Sequence, residues 1–279
     1  MLALALSIAF TSCQKMDRPE LGEYVKDTNP PGGPLNFYAA FDGTSNDPLM
    51  NAVDSSRASF PSDNPLASVE GISGKAIQGE NKKFIKYAKP NDWAVRAKSF
   101  TISFWYKRDG QTLNNKGTNG PEYIFSFPSS NGHWSGANMA LFLEGNNAAA
   151  AVKFFVVDKD GKDPWFTWEK TSSVDHTIPG LLDNQWHHMA LVYTASSSTM
   201  ILYVDGVANA NTKTPNAELQ DLDLDDSKIS EFRIGAGPGT KYDTDDWLSS
   251  SFKGQIDQFR LYSEPLSAAD VNGLFTKKQ

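Results

Sequence analysis

Short stretches in which apolar and polar residues alternate recur along most of the sequence, separated by Gly, Asn, Asp and Pro. In an extended chain, residues two apart share a face, so such stretches are typical of half-buried strands. The stretch "SFTISFWYKRDG" places four apolar side chains on one face: Phe100, Ile102, Phe104 and Tyr106. "QWHHMALVYTASSSTMILYVDG" predicts two strands around a polar turn at 195–198. We count about twelve such strands, which predicts an all-β protein.

The number of strands and the chain length together favour one architecture. Many short strands with turn signals form a sandwich or a barrel. For 279 residues, we expect a two-sheet antiparallel jelly-roll sandwich rather than a small barrel. The first strand of this domain is "LNFYAAF", beginning at Leu35, and no shift of composition divides 35–279 into two domains. "SAADVNGLF" predicts one helix, with Ser267 as its N-cap and Asp270 completing a capping box.

Charge limits the classes of partner. The chain carries 26 basic and 33 acidic residues, a formal net charge of −7, with no Lys/Arg cluster. This argues against a nucleic-acid partner. It also argues against electrostatic binding to anionic lipid. We expect a monomer.

The N-terminal segment predicts a lipid anchor. "LALALSIAFTSC" is an apolar run that is too short to span a bilayer and ends in small residues before Cys13. It resembles a bacterial lipobox, although no Lys or Arg follows Met1. Residues 1–12 would then be the signal peptide, and 13–34 the lipidated Cys13 with a polar, Pro/Gly-rich tether. Because Gln14 is not the Asp that retains such lipoproteins in the inner membrane, the resemblance implies outer-membrane anchoring, on the periplasmic or cell-surface side. The alternative is a buried N-terminal strand with an incidental cysteine.

A family resemblance rests on an ordered set of motifs. "FYAAFDGTSNDPL", "GISGKAIQGENKKFIKY", "SFTISFWYKRDG", "QWHHMALVYTASSSTMILYVDGV", "FRIGAGPG" and "FKGQIDQFRLYSEPLSAADV" follow one another along 35–279. The set resembles the laminin G-like, concanavalin A-like jelly-roll domains of bacterial lipoproteins of the Bacteroidetes type. The resemblance implies two curved antiparallel sheets of six or seven strands. It also implies frequent carbohydrate binding and often a structural calcium ion.

Asp257 is the first candidate ligand of such an ion. Simple alternation puts Asp257 on the same strand face as Phe259 and Leu261, and an unpaired carboxylate in a core is costly. The resemblance implies that Asp257 lies near Asp42, where carbonyls around Gly43 could add oxygen ligands for calcium. The alternative is that Asp257 lies at the sheet rim, solvated or paired with Lys253.

The tryptophans are the candidate sugar-binding residues. Seven are present, more than a core of this size usually needs, and flat aromatic rings stack on the apolar faces of sugars. We select Trp247, because the neighbouring Asp245 and Asp246 could accept hydrogen bonds from sugar hydroxyls. We also select Trp165, because it lies where a turn enters a strand. Trp165 and Trp168 should lie on opposite strand faces. Four other aromatic residues are further candidate sugar platforms: Trp105, Trp134, Trp168 and Tyr123. For each of the six candidates, Trp247 and Trp165 included, core packing is the alternative.

Catalytic motifs are missing from the sequence. The Glu-x-Asp-x-x-Glu strand of glucanases with this fold, which places an acid and a nucleophile on one face, does not occur. Four glutamates stand alone in their segments, although a pair could assemble from distant strands: Glu122, Glu144, Glu169 and Glu231. The sequence therefore favours a surface-tethered, non-catalytic carbohydrate-binding lipoprotein. The alternatives are an adhesion or structural module that binds a protein, and a cryptic glycoside hydrolase or lyase.

Overall fold

A computed structural model describes residues 33–42, 49, 51–53, 58, 66–90, 92–110, 120–214, 222–239 and 247–278. The predicted signal peptide, Cys13 and most of the tether, with Gly43, Asp245 and Asp246, lie outside these ranges. The described residues form fourteen strands: β1 Leu35–Ala39, β2 Ala67–Glu70, β3 Lys75–Gln78, β4 Ile85–Tyr87, β5 Phe100–Asp109, β6 Glu122–Pro128, β7 Ala137–Asn146, β8 Ala149–Val156, β9 Trp165–Trp168, β10 Asp183–Thr194, β11 Thr199–Val204, β12 Val207–Ala208, β13 Phe232–Ile234 and β14 Gln255–Tyr262.

The strands form two antiparallel sheets, which confirms the predicted sandwich. The first sheet has the order β12-β11-β10-β5-β14-β3-β2, and β1 also pairs with β14. The second has the order β4-β13-β6-β7-β8-β9. The predicted hairpin is β10 and β11, which pair from Met189↔Val204 to Thr194↔Thr199 around the 3-10 turn Ala195–Ser197. Distant segments are thus brought together, because β5 pairs with both β10 and β14.

The core lies between the two sheets and is rich in aromatic rings. The predicted inward face of β5 is confirmed, since Phe100, Phe104 and their alternating neighbours are fully buried in it. Phe104 stacks on Phe259 of the same sheet at 5.6 Å, and Phe125 of the second sheet meets Phe259 at 5.5 Å. These contacts join the two layers at the centre of the domain.

A β-bulge in β14 changes which face Asp257 occupies. The register with β5 shifts between Asp257 and Arg260, where Gln258 has a φ of 50°. The extra residue reverses the alternation, so Ile256 and Phe259 both point into the core. Asp257 therefore lies on the opposite face of the sheet, and the expectation that it shares a face with Phe259 and Leu261 is wrong. It is nevertheless fully buried.

Two α-helices complete the described fold. The first helix, α1, spans Trp93–Arg96 and was not predicted from the sequence; it places Trp93 in the core, stacked on Phe127 at 5.1 Å. The predicted C-terminal helix is α2, Ala268–Lys277, with the complete capping box between Ser267 and Asp270. No helix in the described part of the chain has the length and apolar character needed to cross a membrane.

Candidate functional site

Three tryptophans from separate parts of the chain meet on the face of the second sheet that points away from the core. We call this the outer face, and we call Trp134, Trp165 and Trp247 the tryptophan cluster. The ring of Trp134 lies 6.4 Å from that of Trp165, at an interplanar angle of 3°, and 6.0 Å from that of Trp247. Trp165 and Trp247 are 6.4 Å apart. Trp134 leaves 59% of its surface exposed, while the other two are partly buried.

Buried aromatic residues of the sheet support the cluster from below. Trp165 stacks on Phe155 at 4.7 Å, and Trp247 meets Phe142 edge-on at 5.0 Å. Phe142, Phe155 and Tyr123 belong to an apolar layer on the outer face, separate from the core between the sheets. The tryptophans therefore rest on a rigid base, so that their orientation costs little entropy on binding.

Local structure fixes each loop that supplies a tryptophan. Trp134 lies between β6 and β7, where the Nδ1 of His133 lies 2.8 Å from the Ser135 hydroxyl and its Nε2 lies 3.2 Å from Asp163. Trp247 begins a 3-10 turn that packs against Gly237. A Cβ at Gly237 would lie 2.2 Å from the Leu248 carbonyl oxygen, so only glycine permits this approach.

A groove adjoins the tryptophan cluster. It has a volume of about 450 Å³, and Trp134, Arg233 and Leu248 are among its lining residues. The Arg233 guanidinium is buried and donates to the carbonyls of Gly237 and Gly239 at 2.9 and 2.8 Å. Arg233 thereby holds the loop on which Trp247 rests, and the groove offers polar groups beside the aromatic surface.

The structure separates the aromatic candidates. Trp165 and Trp247 lie together on the outer face, whereas Trp105 and Trp168 are buried. The opposite orientation of Trp165 and Trp168 is confirmed, since Trp168 lies in the core between the sheets. Trp134 is the most exposed of the cluster but was not among the residues selected from sequence. Trp134 lies in a segment rich in Asn, Gly and Ser. Such a composition is typical of surface loops, and it is the sequence signal that indicates an exposed position for Trp134.

The predicted metal ligands lie around the turn at residues 71–74, between β2 and β3. The Ile72 backbone N–H donates to Asp257 Oδ2 at 2.8 Å, and the Lys75 N–H donates to Asp42 Oδ1 at 2.9 Å. A Cβ at Gly74 would lie 1.9 Å from that Asp42 oxygen. One turn thus contacts both carboxylates. Lys253, the alternative partner of Asp257, instead lies 3.7 Å from Glu122.

The environment of Asp257 is unusual for a carboxyl group. Burial raises the pKa of Asp257 to about 7, against the lowering effect of the Ile72 and Ser73 backbone N–H groups, and the nearby Asp42 raises it further. Asp257 Oδ1 is buried and accepts no hydrogen bond from the described residues. Such an oxygen can serve as a cation ligand. Within the described residues, however, no three His, Cys, Asp or Glu side chains form a metal-binding group.

Sequence comparison identifies one matching family. The family model described as the concanavalin A-like lectin/glucanases superfamily, of laminin G type, matches residues 84–272. These residues include both sheets' central strands and the whole tryptophan cluster. The comparison with curated proteins found no match.

Solved structures with the same fold include binding domains of several proteins. The binding domain of Paraclostridial Mosquitocidal Protein 1 aligns with a TM-score of 0.59 at 16% identity, over 88% of this chain and 52% of that one. The receptor binding domain of botulinum neurotoxin C/D mosaic serotype has a TM-score of 0.59, 15% identity and coverages of 88% and 51%. The chain thus spans about half the length of these two proteins.

A third similar structure contains a bound sugar. It is Domain 4 of AbnA, a GH43 extracellular arabinanase from Geobacillus stearothermophilus, in complex with arabinotriose. It has a TM-score of 0.55 and 20% identity, and the alignment covers 87% of this chain and 98% of that one. At these identities the three structures establish a shared fold.

Proposed function

The chain belongs to the concanavalin A-like lectin/glucanases superfamily, and we propose that it is a carbohydrate-binding module whose ligand stacks on the tryptophan cluster. One observation carries the proposal: Trp134, Trp165 and Trp247 converge on an outer sheet face, and Trp134 leaves 59% of its surface exposed. Exposed large apolar groups on a rigid base mark binding surfaces.

The chemistry of the cluster suits a sugar. A pyranose or furanose ring has an apolar face that packs on an indole and a rim of hydroxyls that needs polar partners. The groove beside Trp134 supplies backbone carbonyls, hydroxyls and the loop held by Arg233. The arabinotriose complex of a domain with the same fold supports including arabino-oligosaccharides among the candidates.

Calorimetric titration of the full chain tests this function. The ligands are neutral oligosaccharides of three to five units built from arabinose, xylose, glucose or mannose. We expect binding of at least one, with a dissociation constant of roughly micromolar to millimolar, and marked loss in Trp134→Ala. Val95→Ala, at a side chain that is 62% exposed on α1, is the control. Wild-type chain that binds none of these sugars would instead favour the alternative, a module that recognises a protein partner through this face.

We further propose a structural calcium ion at the turn of residues 71–74. The open, buried Oδ1 of Asp257 and the nearby Asp42 carboxylate support it, because both are hard oxygen ligands. Backbone carbonyls and water would complete the coordination, with the Gly43 region as a source. The ion would join the last strand of the domain to its first strands and would take no part in chemistry.

We also propose that the module is a lipoprotein of the outer membrane. Small residues directly before Cys13 and the polar tether after it support this proposal. The lipid would hold the module at the membrane, leaving the tryptophan cluster accessible to a polysaccharide.

A further inference from the structure

The outer face of the second sheet continues beyond the tryptophan cluster into three charged side chains, Glu144, Lys153 and Glu169. Strand register places them on this face. Phe155 lies opposite Trp165, and two residues earlier Lys153 lies opposite Phe142 and Thr167. Glu144 follows Phe142 by two residues, and Glu169 follows Trp165 by four. Alternation then gives all three charged residues the same orientation as the aromatic layer.

A single ammonium holds both carboxylates. Lys153 Nζ lies 2.8 Å from a Glu144 oxygen and 2.7 Å from a Glu169 oxygen. All three side chains are partly exposed, by 20% for Lys153, 24% for Glu144 and 30% for Glu169. Burial lowers the pKa of Lys153, but its hydrogen bonds with Glu144 and Glu169 outweigh this, so the pKa is raised overall. The lysine is therefore charged at neutral pH and fixes two carboxylates that remain open to solvent.

The separation of the two groups indicates the length of the ligand. From Trp165 to Glu169 the chain advances four residues, or about 13 Å at 3.3 Å per residue. One sugar ring cannot contact both the Trp165 indole and the Glu169 carboxylate across this distance. A ligand that uses the whole face must be an oligosaccharide or an internal segment of a polysaccharide.

The charges indicate the kind of sugar. Carboxylates accept hydrogen bonds from hydroxyl groups, and each has several acceptor positions. The ammonium has three donors, of which two go to the glutamates, so the third can serve a sugar oxygen. Two carboxylates against one ammonium give this group a net negative charge, which repels a uronic acid or a sulfated sugar. Lys213 is a further cation within electrostatic range of Glu169, and its ammonium lies over the ring of Trp168, which belongs to the core between the sheets.

We propose that Glu144, Lys153 and Glu169 form a second sugar subsite, which makes this face selective for neutral oligosaccharides over anionic ones. The proposal rests on the carbohydrate-binding function proposed above and extends it to a ligand class. The glutamates select the sugar by accepting hydrogen bonds from its hydroxyls, and Lys153 holds the two glutamates in position. The subsite assembles from β7, β8 and the residue that follows β9, and for this reason neither glutamate has a partner in its own sequence segment.

The test compares two ligands on the full chain by calorimetry. One is the tightest neutral oligosaccharide from the panel above, and the other is an oxidised ligand of the same length in which a uronic acid replaces at least one of the sugars. For the wild type we expect the oxidised ligand to bind at least about tenfold more weakly, the size expected for contacts with charged groups. In the double variant Glu144→Gln/Glu169→Gln we expect neutral binding to weaken about tenfold and the discrimination to shrink toward onefold.

Controls separate the possible failures. Glu80→Gln makes the same kind of charge change at a glutamate that is 60% exposed and paired with Lys83, and it should alter neither ligand's affinity. Equal affinity of the wild type for both ligands, or unchanged discrimination in the double variant, overturns the second subsite. If Trp134→Ala still weakens binding markedly in that case, the proposed function stands without the second subsite. If Trp134→Ala also has no effect, the proposed function itself is contradicted.

Discussion

Replacing Trp134 with alanine should weaken ligand binding clearly while costing less stability than the loss of a buried tryptophan. The exposed 59% of this indole amounts to roughly 150 Å², given about 250 Å² for a large aromatic side chain. A sugar ring that covers half of that area buries about 75 Å², worth about 1.9 kcal/mol at 25 cal/mol per Å². We therefore expect Trp134→Ala to raise the dissociation constant about 25-fold.

The free energy of unfolding should fall further when Trp168 is replaced than when Trp134 is replaced. Trp168 is fully buried, and its Nε1 donates to the Asn211 carbonyl at 2.8 Å. Trp168→Ala should lower the free energy of unfolding by about 3–5 kcal/mol. Trp134→Ala should lower it by no more than about 2.5 kcal/mol, an upper estimate from its covered area.

Urea unfolding and calorimetric titration measure the two effects on the same preparations. If Trp168→Ala does not fold, Trp168→Phe gives a milder loss of core volume and keeps the comparison possible. A binding role for Trp134 is refuted if Trp134→Ala destabilises the fold as much as Trp168→Ala while the affinity for the oligosaccharide is unchanged. Trp134 would then be a packing residue.

Three further predictions concern other parts of the chain. Chelation with EDTA should lower the melting temperature, because calcium that binds only the native state stabilises it; Asp257→Ala should remove this effect, and equal melting curves in EDTA and in millimolar calcium would contradict the ion. Cys13→Ala should move the protein from the membrane to the soluble fraction, and unchanged fractionation would exclude the lipid anchor. Burial and the nearby Arg260 lower the pKa of His188 to about 4, against the raising effect of Asp205. The neutral imidazole therefore contributes stability on the order of 3 kcal/mol, which is complete above pH 6.5 and is lost as the pH falls toward 4. His188→Gln should flatten the decline in unfolding free energy that the wild type shows over this range. Parallel pH profiles of the two proteins would contradict this prediction.

Much of the fold could be predicted because strand side chains alternate strictly. The inward residues of β5, the β10–β11 hairpin and the Ser267 capping box follow from local spacing, and all are present. The bulge at Gln258 does not follow from local spacing. Its φ of 50° accompanies a register shift against β5, a long-range feature, and alternation alone therefore put Asp257 on the wrong face of the sheet.

The candidate site was harder to predict because its residues are distant in sequence. Alternation showed that Trp165 and Trp168 point in opposite directions, but not which of them faces the core. The convergence of Trp134 and Trp247 on Trp165 depends on the order of strands in the second sheet and on two loops. Long-range strand pairing also joins Glu144 to Glu169 through Lys153, so no local sequence motif predicts this cluster.

The indole N–H signals of a ¹⁵N-labelled sample report directly whether the ligand binds on the outer face. The seven tryptophans of the chain give seven such signals, which single substitutions assign. On titration with the tightest-binding neutral oligosaccharide, the signals of Trp134, Trp165 and Trp247 should shift together and saturate at the calorimetric dissociation constant. The signals of the buried Trp93 and Trp168 should stay in place. Shifts confined to tryptophans outside the cluster, or no shift at saturating sugar, would contradict binding on the outer face.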